Sequence, residues 1–371
     1  MDISIFNEQF PDERRVSLTP AAVHRLVAAG HHVYVEKDAG LRAGFTDPEY
    51  INAGGTIVYT RDEAFGRAQL ALGVSPLNLP DLPFVMPGQI LMSFTYQAAV
   101  RERLVQALCE KEATVIGYEA IETDLGRFPI LEPMSEIAGI MAVTIAARLL
   151  ESGAGGRGIL LGGLPGIPAS NVVVLGAGNV GFNAARCALG LGAQVMVIDS
   201  DMDRLRYFLR TFDRRVTTDV PYRQNLERAV RFADVLIGSV SVHSEKPPCL
   251  VTRDMVASMK PGSVIIDVSV DAGGCIETTR PTTFADPTYE VNGVIHCNIP
   301  VLPANVSRTA TVALTNAIID RVEFLASQGL DNALLLDHSL ARGVYIYCGG
   351  ITKKSLADAV GRSTVELPGA H

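Results

Sequence analysis

Three glycines at fixed intervals are the residues of this sequence whose spacing points most directly to chemistry. Gly176, Gly178 and Gly181 follow an apolar run at 172–175 in the pattern G-x-G-x-x-G. The first glycine permits a tight turn, the second lets a pyrophosphate approach the backbone without a Cβ in the way, and the third lets the next helix lie close to its strand. Backbone N–H groups of Asn179 and Val180, at the predicted start of that helix, would face the phosphates.

An acidic residue after the second predicted strand supports this interpretation. Asp199 follows the apolar run 195–198 and lies 18 residues beyond Gly181, where a carboxylate can accept hydrogen bonds from an adenosine ribose. Because a 2′-phosphate would be repelled by that carboxylate, the pattern favours NAD over NADP. A glycine-rich turn that binds nothing is the alternative, but the strands, glycines, helix and acid together favour a dinucleotide site.

A second carboxylate, Asp271, lies after the apolar segment predicted as a strand at 263–270 and before Gly273 and Gly274. In open α/β sheets, ligands bind beyond the carboxyl ends of the strands, near the point where the strand order reverses. Asp271 is therefore predicted to approach a nicotinamide or to orient a substrate amine, with a cap of a helix or turn as the alternative. Asp267, inside the predicted strand, is expected to be a structural partner.

An arginine in the first part of the chain is a candidate for substrate binding. Arg15 lies in the run Glu13–Val16, shortly before the first predicted helix. Its guanidinium could hold a substrate carboxylate through two parallel hydrogen bonds. A solvated surface arginine is the alternative, and spacing alone does not decide between the two.

The composition bounds the class of protein. The 371 residues are 48% hydrophobic and 19% charged, and they exceed the usual size of one domain, so two domains are expected. The net charge of −8 comes without a basic cluster, which argues against a nucleic-acid partner. The longest uninterrupted apolar stretch, 137–147, has 11 residues. That is too short to cross a membrane, for which about 20 residues are needed.

Targeting signals and metal sites find no support in the sequence. The first ten residues lack the positive region and apolar core of a signal peptide. The six cysteines show no C-x-x-C pair and no regular spacing, as expected of reduced, mostly buried thiols. No H-E-x-x-H, EF-hand or cysteine-histidine cluster occurs, so no metal site is predicted. We therefore expect a cytoplasmic protein with no membrane or metal partner.

Short apolar strands alternate with helices along the chain, which predicts an α/β fold with parallel sheets covered on both faces. The strands predicted in the first part are 3–6, 31–35, 56–59, 70–74, 90–96 and 115–119, with a long helix at 98–110. The second part follows a helix at 133–150, with strands at 172–175, 195–198, around 216, 234–238, 263–270 and 294–297. Helices predicted at 309–327 and 354–360 belong to a tail that is expected to pack back on the first part.

These segments resemble the alanine dehydrogenase and pyridine nucleotide transhydrogenase α-subunit family over nearly the whole chain. The motifs that carry the resemblance are Glu13–Pro20, Leu131–Gly139, Gly176–Asn183 with Asp199, Asp271–Cys275, Arg280–Thr283 and Ala313–Ala317. The resemblance implies two Rossmann-like, doubly wound domains. An NAD-binding domain at 131–306 would be inserted into a substrate domain made of 1–130 and 307–371. It also implies a small amino or imino acid as substrate and a homo-oligomer, usually a hexamer.

The same resemblance implies roles for individual residues. It assigns Arg15 to the substrate carboxylate and Asp271 to the active site. Ser135, Asp199 and Arg204 match positions that contact the cofactor. We also assign Ser239, which follows the strand predicted at 234–238, to the cofactor site.

Two departures from the family pattern fall among the catalytic residues. Where the dehydrogenases have a substrate-binding lysine in a Val-Lys-Glu-Pro motif, this chain has Ser75, and where they have the catalytic histidine it has Tyr96. A third change places the segment Pro300–Pro303 where an asparagine is expected near the nicotinamide.

Three functions therefore stay open. The first is an NAD-dependent dehydrogenase or imine reductase that acts on an amino or imino acid other than alanine. The second is alanine dehydrogenase with replaced side chains, and the third is an NAD-binding protein that has lost catalysis and serves as a sensor or assembly partner. Arg15, Asp271 and the complete cofactor pattern favour an enzyme, whereas Ser75 and Tyr96 argue against alanine.

Overall fold

Two units make up the chain in a computed structural model that describes residues 1–95, 102–240 and 247–368. The first unit combines Met1–Met134 with the described residues from Val306 onward, and the inserted unit is Ser135–Asn305.

Fifteen strands are present in the described ranges. They are β1 (Asp2–Ile5), β2 (His32–Glu36), β3 (Thr56–Val58), β4 (Leu70–Leu72), β5 (Ile90–Ser93), β6 (Thr114–Gly117), β7 (Asn171–Leu175), β8 (Gln194–Ile198), β9 (Val216–Asp219), β10 (Val235–Gly238), β11 (Val264–Asp267), β12 (Tyr289–Val291), β13 (Val294–His296), β14 (Val344–Tyr347) and β15 (Gly350–Ile351).

Thirteen α-helices accompany these strands in the same ranges. They are α1 (Pro20–Ala28), α2 (Asp47–Asn52), α3 (Arg61–Gly66), α4 (Glu102–Glu110), α5 (Leu131–Leu149), α6 (Asn179–Gly190), α7 (Met202–Thr211), α8 (Arg223–Phe232), α9 (Arg253–Ala257), α10 (Ser307–Gln328), α11 (Leu330–Leu336), α12 (His338–Arg342) and α13 (Lys354–Val360).

The sheet of the first unit has the strand order β15-β14-β6-β5-β4-β1-β2-β3. Strands β1 to β6 are parallel, while β14 is antiparallel to β6 and β15 is antiparallel to β14. The chain winds outward from β1 to β3 and then returns to the other side of β1 at β4. The strand order therefore reverses between β1 and β4, and the carboxyl ends of these strands border the crevice where ligands bind in such sheets.

The sheet of the inserted unit has the order β12-β13-β11-β10-β7-β8-β9 and is parallel except for the edge pair β12–β13. Here the order reverses between β7 and β10. Both sheets thus have the doubly wound arrangement, and the predicted α/β fold class with one Rossmann-like unit inserted into another is confirmed.

Burial of β7 on both faces explains why its sequence is continuously apolar. Val172 and Val174 lie in one hydrophobic cluster of the inserted unit, and Val173 and Leu175 lie in another. Side chains of a strand alternate between the two faces of its sheet, so a strand covered by helices on both sides needs apolar residues at every position. Each fully buried side chain of this kind contributes about 1.5–3 kcal/mol.

Several predicted elements differ from the observed ones. The strand predicted at 263–270 ends at Asp267, because the Asp267 carboxylate accepts hydrogen bonds from the Ser269 backbone N–H and hydroxyl and so turns the chain. Strands β12, β14 and β15 were not predicted. The first part of the helix predicted at 98–110 lies outside the described residues, and α4 is described from Glu102.

Two further observations concern the expectations about membrane segments and about buried cysteines. No helix in the three described ranges combines the length and apolar character needed to cross a bilayer. The cysteines are all free thiols, of which Cys109, Cys275 and Cys297 are buried while Cys249 and Cys348 are exposed. The expectation of mostly buried thiols is therefore met by half of them.

Candidate active site

The glycine turn after β7 has the geometry that a pyrophosphate site requires. Gly176 has a φ of +99°, and a Cβ there would lie 2.7 Å from the carbonyl oxygen of Ser239. A Cβ on Gly181 would lie 2.0 Å from the carbonyl oxygen of Gly176. At Gly178, by contrast, a Cβ would meet nothing within 4 Å. Protein packing therefore requires glycine at the first and third positions, while the second keeps an open approach to the backbone.

Helix α6 begins directly after this turn, with Gly178 as its N-cap and Asn179 as its first residue. The first N–H groups of a helix have no partner inside it, so those of Asn179 and Val180 are available to an anion at the turn. The site thus fits a dinucleotide, which would place its pyrophosphate here.

Asp199 lies at the end of β8 beside the glycine turn. Its carboxylate accepts hydrogen bonds from the backbone N–H of Ala177 at 2.5 Å and of Asp201 at 2.8 Å. This contact places the acid next to the turn, where a ribose hydroxyl could also donate to it. Arg204 lies in the first turn of α7, is exposed, and has its Nε 3.5 Å from a carboxylate oxygen of Asp201.

Ser239 and Ser135 occupy different surroundings. Ser239 follows β10 and is buried, and its hydroxyl donates to the carbonyl of Leu175 at 2.7 Å, with the carbonyl of Gly176 at 3.2 Å. Ser239 therefore holds the glycine turn in place from the neighbouring strand. Ser135 is half-buried in α5, at the first position of the inserted unit.

Asp271 lies in a short 3₁₀ turn, Val270–Ala272, beyond the carboxyl end of β11. This strand lies next to β10, and the strand order reverses between β10 and β7. Asp271 was predicted to lie at that reversal, whereas the structure places it one strand away. Its carboxylate accepts from the N–H of Ala272 at 2.9 Å. The side chain is accessible to solvent, yet surrounding protein atoms desolvate it and raise its pKa.

Asp267 is a structural residue, as predicted, and holds the loop after β11 through hydrogen bonds. Besides Ser269, its carboxylate accepts hydrogen bonds from the backbone N–H of Cys275 at 3.0 Å and the hydroxyl of Thr279 at 2.9 Å. The residue is fully buried, so these bonds replace its hydration and fix the loop that carries Asp271.

Four neighbouring strands bring the second group of polar residues together in the first unit. Glu8 follows β1, Ser75 follows β4, Thr95 follows β5, and Tyr118 and Glu119 follow β6. Because these strands are adjacent and parallel, their following loops meet at one edge of the sheet. A hydrogen bond to α10 fixes the loop after β1, because the backbone N–H of Val16 donates to the side-chain hydroxyl of Thr311 at 3.1 Å.

Arg15 is buried and forms an ion pair with Glu13. The Nε of Arg15 donates to one carboxylate oxygen at 2.7 Å and its Nη2 to the other at 2.6 Å. Its guanidinium also lies 5.8 Å from the centre of the Phe94 ring, and its Nη1 is 3.2 Å from the sulfur of Met134. Arg15 is thus not a solvated surface residue, and its ion pair overcomes the effect of burial and lowers the pKa of Glu13.

Ser75 lies between two buried carboxylates. Its hydroxyl donates to Glu13 at 3.2 Å, and its backbone N–H donates to Glu8 at 3.3 Å. Of the residues predicted to contact the substrate, the structure therefore brings Arg15 and Ser75 together, with Glu13 as their shared partner. Tyr96 lies outside the described residues.

Glu119 anchors the segment that leads to Tyr96. Its carboxylate accepts from the backbone N–H of Thr95 at 3.0 Å, from the Thr95 hydroxyl, and from the hydroxyl of Tyr345 at 3.1 Å. A residue of the C-terminal segment thus contributes to this edge of the sheet.

Glu8, Tyr118 and Glu119 were not predicted as candidate residues. The signal that could have revealed them is their position, since Glu8 lies two residues beyond the strand predicted at 3–6, and Tyr118 and Glu119 are the last two residues of the strand predicted at 115–119. Acidic and phenolic side chains at the ends of neighbouring parallel strands are candidates for a site on the same grounds as Ser75 and Arg15. Within the described residues, no cluster of three or more histidine, cysteine or acidic side chains could hold a metal ion.

Known proteins match this chain along most of its length. Residues 4–138 match the family described as alanine dehydrogenase/PNT, N-terminal domain, and residues 142–354 match alanine dehydrogenase/PNT, C-terminal domain. Alanine dehydrogenase of Halomonas elongata is 42% identical over 366 residues, which are 99% of this chain and 98% of that protein.

Solved structures agree with this result. An L-alanine dehydrogenase superposes with a TM-score of 0.93 at 40% identity, covering 97% of this chain and 99% of that one. The transhydrogenase of Sinorhizobium meliloti shares the fold, with a TM-score of 0.82 at 22% identity over 96% of this chain and 100% of that one. Together with the nucleotide-binding fold, these matches confirm NAD as the cofactor, and they identify the chain as an NAD-dependent oxidoreductase that belongs to the alanine dehydrogenase/PNT family.

Proposed function

We propose that this protein transfers hydride between NAD(H) and the carbon–nitrogen bond of an amino or imino acid other than alanine. One observation carries the proposal. The four sequence segments 6–19, 73–89, 94–101 and 118–130, which come after β1, β4, β5 and β6 in the chain, contain neither a lysine nor a histidine.

The missing side chains limit the chemistry of this edge of the sheet. A lysine would bring a positive charge to the oxygens of the substrate, whereas Ser75 is neutral and already donates its hydroxyl to Glu13. A histidine side chain, with an ordinary pKa near 6.5, exchanges protons at neutral pH, whereas the phenol group of a tyrosine ordinarily titrates only near pH 10. Positioned acid-base catalysis is worth about 10² to 10⁴ in rate, so its loss should impair reductive amination of a simple oxo acid.

A substrate that arrives as a protonated imine avoids this difficulty. Its carbon–nitrogen bond is already formed, so hydride addition to the carbon gives the amine without further proton transfer. NADH supplies that hydride when it is bound. In this proposal Arg15 holds the substrate carboxylate, Asp271 orients the nitrogen, and Ser135, Arg204 and Ser239 contribute to the cofactor site. The protein is proposed to be a homo-oligomer, and the resemblance to its family favours a hexamer.

Alanine dehydrogenase itself is the second candidate, because relatives with that name are 39–42% identical to this chain. The two candidates differ in the substrates they predict. A third outcome, NADH binding without turnover of any amino or imino acid, would identify the chain as a sensor or assembly partner.

NADH oxidation at neutral pH can separate these functions. The assay should compare pyruvate with ammonia, larger 2-oxo acids with ammonia or amines, and preformed cyclic imines that carry a carboxylate. We expect turnover of imines and poor turnover of pyruvate. Alanine or pyruvate turnover within tenfold of a typical kcat of about 10 s⁻¹ would refute the proposal. A Ser75→Lys, Tyr96→His double variant should gain alanine activity if these two positions set the difference.

A further inference from the structure

Two buried carboxylates in the first unit have different partners. Glu13 is 1% exposed and pairs with Arg15 through both of its oxygens. Glu8 is 4% exposed and accepts hydrogen bonds from the backbone N–H groups of Val74 at 2.6 Å and Ser75 at 3.3 Å. Among the described residues no cationic side chain forms an ion pair with Glu8, so the hydrogen bonds from uncharged backbone groups are its compensation.

This arrangement is costly for an ionised carboxylate. Burial, and next the negative charge of Glu13, raise the pKa of Glu8 to about 7. The charge of Arg61 opposes this shift, but its guanidinium pairs with Glu36 and Asp81. A cation that reached Glu8 would remove the penalty, because a buried charge is tolerated when it is paired.

A second observation points to a ligand at the same place. Tyr118 is 0% exposed, and its hydroxyl has no hydrogen-bond partner among the described residues. Burial raises the pKa of Tyr118, and the charge of Glu8 adds to this rise, so the phenol group is within electrostatic reach of that carboxylate. Buried hydroxyl groups are almost always hydrogen-bonded, and an unpaired one within electrostatic reach of a carboxylate that lacks a cationic partner indicates a polar group that binds there.

The charge of the proposed substrate makes the need for a cation explicit. When a substrate carboxylate lies on Arg15, three carboxylates lie around Arg15 and Ser75: Glu8, Glu13 and that of the substrate. The positive groups there are the Arg15 guanidinium and the single ammonium or iminium group of an ordinary amino acid. With Glu8 ionised, three negative charges face two positive ones, so a further cation is needed to keep Glu8 in its charged form.

We propose that the substrate carries a second cationic nitrogen on its side chain, as in a diamino acid, and that Glu8 and Tyr118 bind this group. Ser75, which hydrogen-bonds to both Glu8 and Glu13, is uncharged and brings no protein cation to Glu8. This inference rests on the proposed function, because it deepens the substrate class and leaves the hydride transfer to NAD unchanged. Tyr118 would accept a hydrogen bond from the ammonium group, and Glu8 would supply the opposite charge.

Matched pairs of amino acids test the inference by NAD reduction. The pairs are L-2-aminobutyrate with L-2,4-diaminobutyrate, L-norvaline with L-ornithine, and L-norleucine with L-lysine, which differ in a terminal ammonium group. In at least one pair we expect kcat/KM to be about tenfold or more higher for the cationic member, the value of a charged hydrogen bond. A preference for the neutral member in all three pairs would overturn the inference.

Variants locate the effect. Glu8→Gln should lower kcat/KM for the preferred cationic substrate by about 10- to 100-fold and leave its neutral counterpart within a few fold. Ser75→Lys should reverse the preference, since it supplies the cation from the protein, and it serves as the second test if Glu8→Gln does not fold. The control is Asp12→Asn, a half-buried carboxylate of the same loop that lies outside the cluster. Equal effects of Glu8→Gln and Asp12→Asn would contradict the role of Glu8.

A binding measurement separates this inference from the proposed function. Calorimetric titration of NADH-saturated protein with the same pairs reports affinity whether or not turnover occurs. Glu8-dependent binding of a diamino acid without turnover would reject the proposed reaction and support the cationic subsite. Turnover of neutral amino or imino acids with no dependence on Glu8 would support the reaction and overturn the subsite.

Discussion

The carboxylate of Asp199 accepts a hydrogen bond of 2.5 Å from the backbone N–H of Ala177, inside the glycine turn. The residue that we expect to select NAD over NADP therefore also stabilises the turn that holds the pyrophosphate. Replacing it with alanine would remove both contributions at once. Asp199→Asn separates them, because an amide oxygen can keep the bond to Ala177 while the negative charge is lost.

We expect Asp199→Asn to bind NADPH much more tightly than the unmodified protein does and to keep its NADH affinity within a few fold. Asp199→Ala should also relax the preference but lose affinity for both cofactors. Nicotinamide fluorescence can measure both affinities without interference, since the chain contains no tryptophan. Equal binding of NADH and NADPH by the unmodified protein would refute the assignment of Asp199.

Alanine substitutions at three glycines should have three different results. Gly181→Ala would place a Cβ 2.0 Å from the Gly176 carbonyl, so it should lower stability and abolish NADH binding. Gly178→Ala meets no protein atom within 4 Å, so it should fold normally and lose NADH affinity. Gly190, the last residue of α6, also has open space around it and provides the control.

Thermal unfolding and NADH titration together check this set. Gly190→Ala should leave cofactor binding unchanged and stabilise the protein by about 0.5–1 kcal/mol, the difference in helix propensity. Tight NADH binding by Gly178→Ala would show that the pyrophosphate does not approach the backbone at this position.

Two adjacent arginines offer a matched test of substrate binding. Arg15 is buried in its pair with Glu13, whereas Arg14 is exposed. Arg15→Ala should raise KM for the substrate by about 100-fold or more, the value of a bidentate charged interaction, without changing NADH affinity. Arg14→Ala should leave both parameters within a few fold. Similar steady-state kinetics for the two variants would remove Arg15 from the substrate site.

Glu8 should make stability depend on pH in a defined range. Its pKa is about 7 in the folded protein against 4.5 in the unfolded chain, so the folded state binds its proton more tightly. The free energy of unfolding therefore falls as pH rises from 4.5 to about 7, by about 3 kcal/mol from this group alone. Glu13, whose pKa is lowered by Arg15, acts in the opposite sense and only below its ordinary pKa.

Comparison of the unmodified protein with Glu8→Gln isolates this contribution. The variant should gain thermal stability relative to the unmodified protein as pH rises from 5 to 8, because it removes the buried charge. The groups that face Glu8, which are the amides of Val74 and Ser75, the Glu13 and Arg61 charges and the Tyr118 hydroxyl, remain in both proteins. A difference in melting temperature that stays constant across this range would contradict the raised pKa.

The inserted unit was more predictable from the sequence than the first unit. Val172–Leu175 and the three glycines are local signals, since the strand, turn and helix that they specify are continuous in the chain. The strand at 263–270 was predicted too long because Val268 and Val270 continue the apolar pattern. The hydrogen bonds from Ser269 to Asp267 that end it depend on side-chain geometry, which hydropathy does not contain.

The cluster around Ser75 could not be predicted in the same way. Glu8, Ser75 and Tyr118 are far apart in sequence and become neighbours through the order β6-β5-β4-β1, which is a property of the whole sheet. Strands β14 and β15 were missed because Val344–Tyr347 and Gly350–Ile351 are short and flanked by glycines. The pairing of β14 with β6, and of β15 with β14, is supplied by tertiary structure and not by local propensity.

The antiparallel pairing of β14 with β6 has a consequence for synthesis of the chain. Arg342, just before β14, donates to the carbonyl of Glu122, 220 residues earlier, and Tyr345 donates to Glu119. During translation the edge of β6 stays unpaired until β14 has left the ribosome, whereas the inserted unit has all its residues between those two partners. Folding on the ribosome should therefore begin with the nucleotide-binding unit, and the exposed β6 edge makes the nascent first unit the part that depends on chaperones.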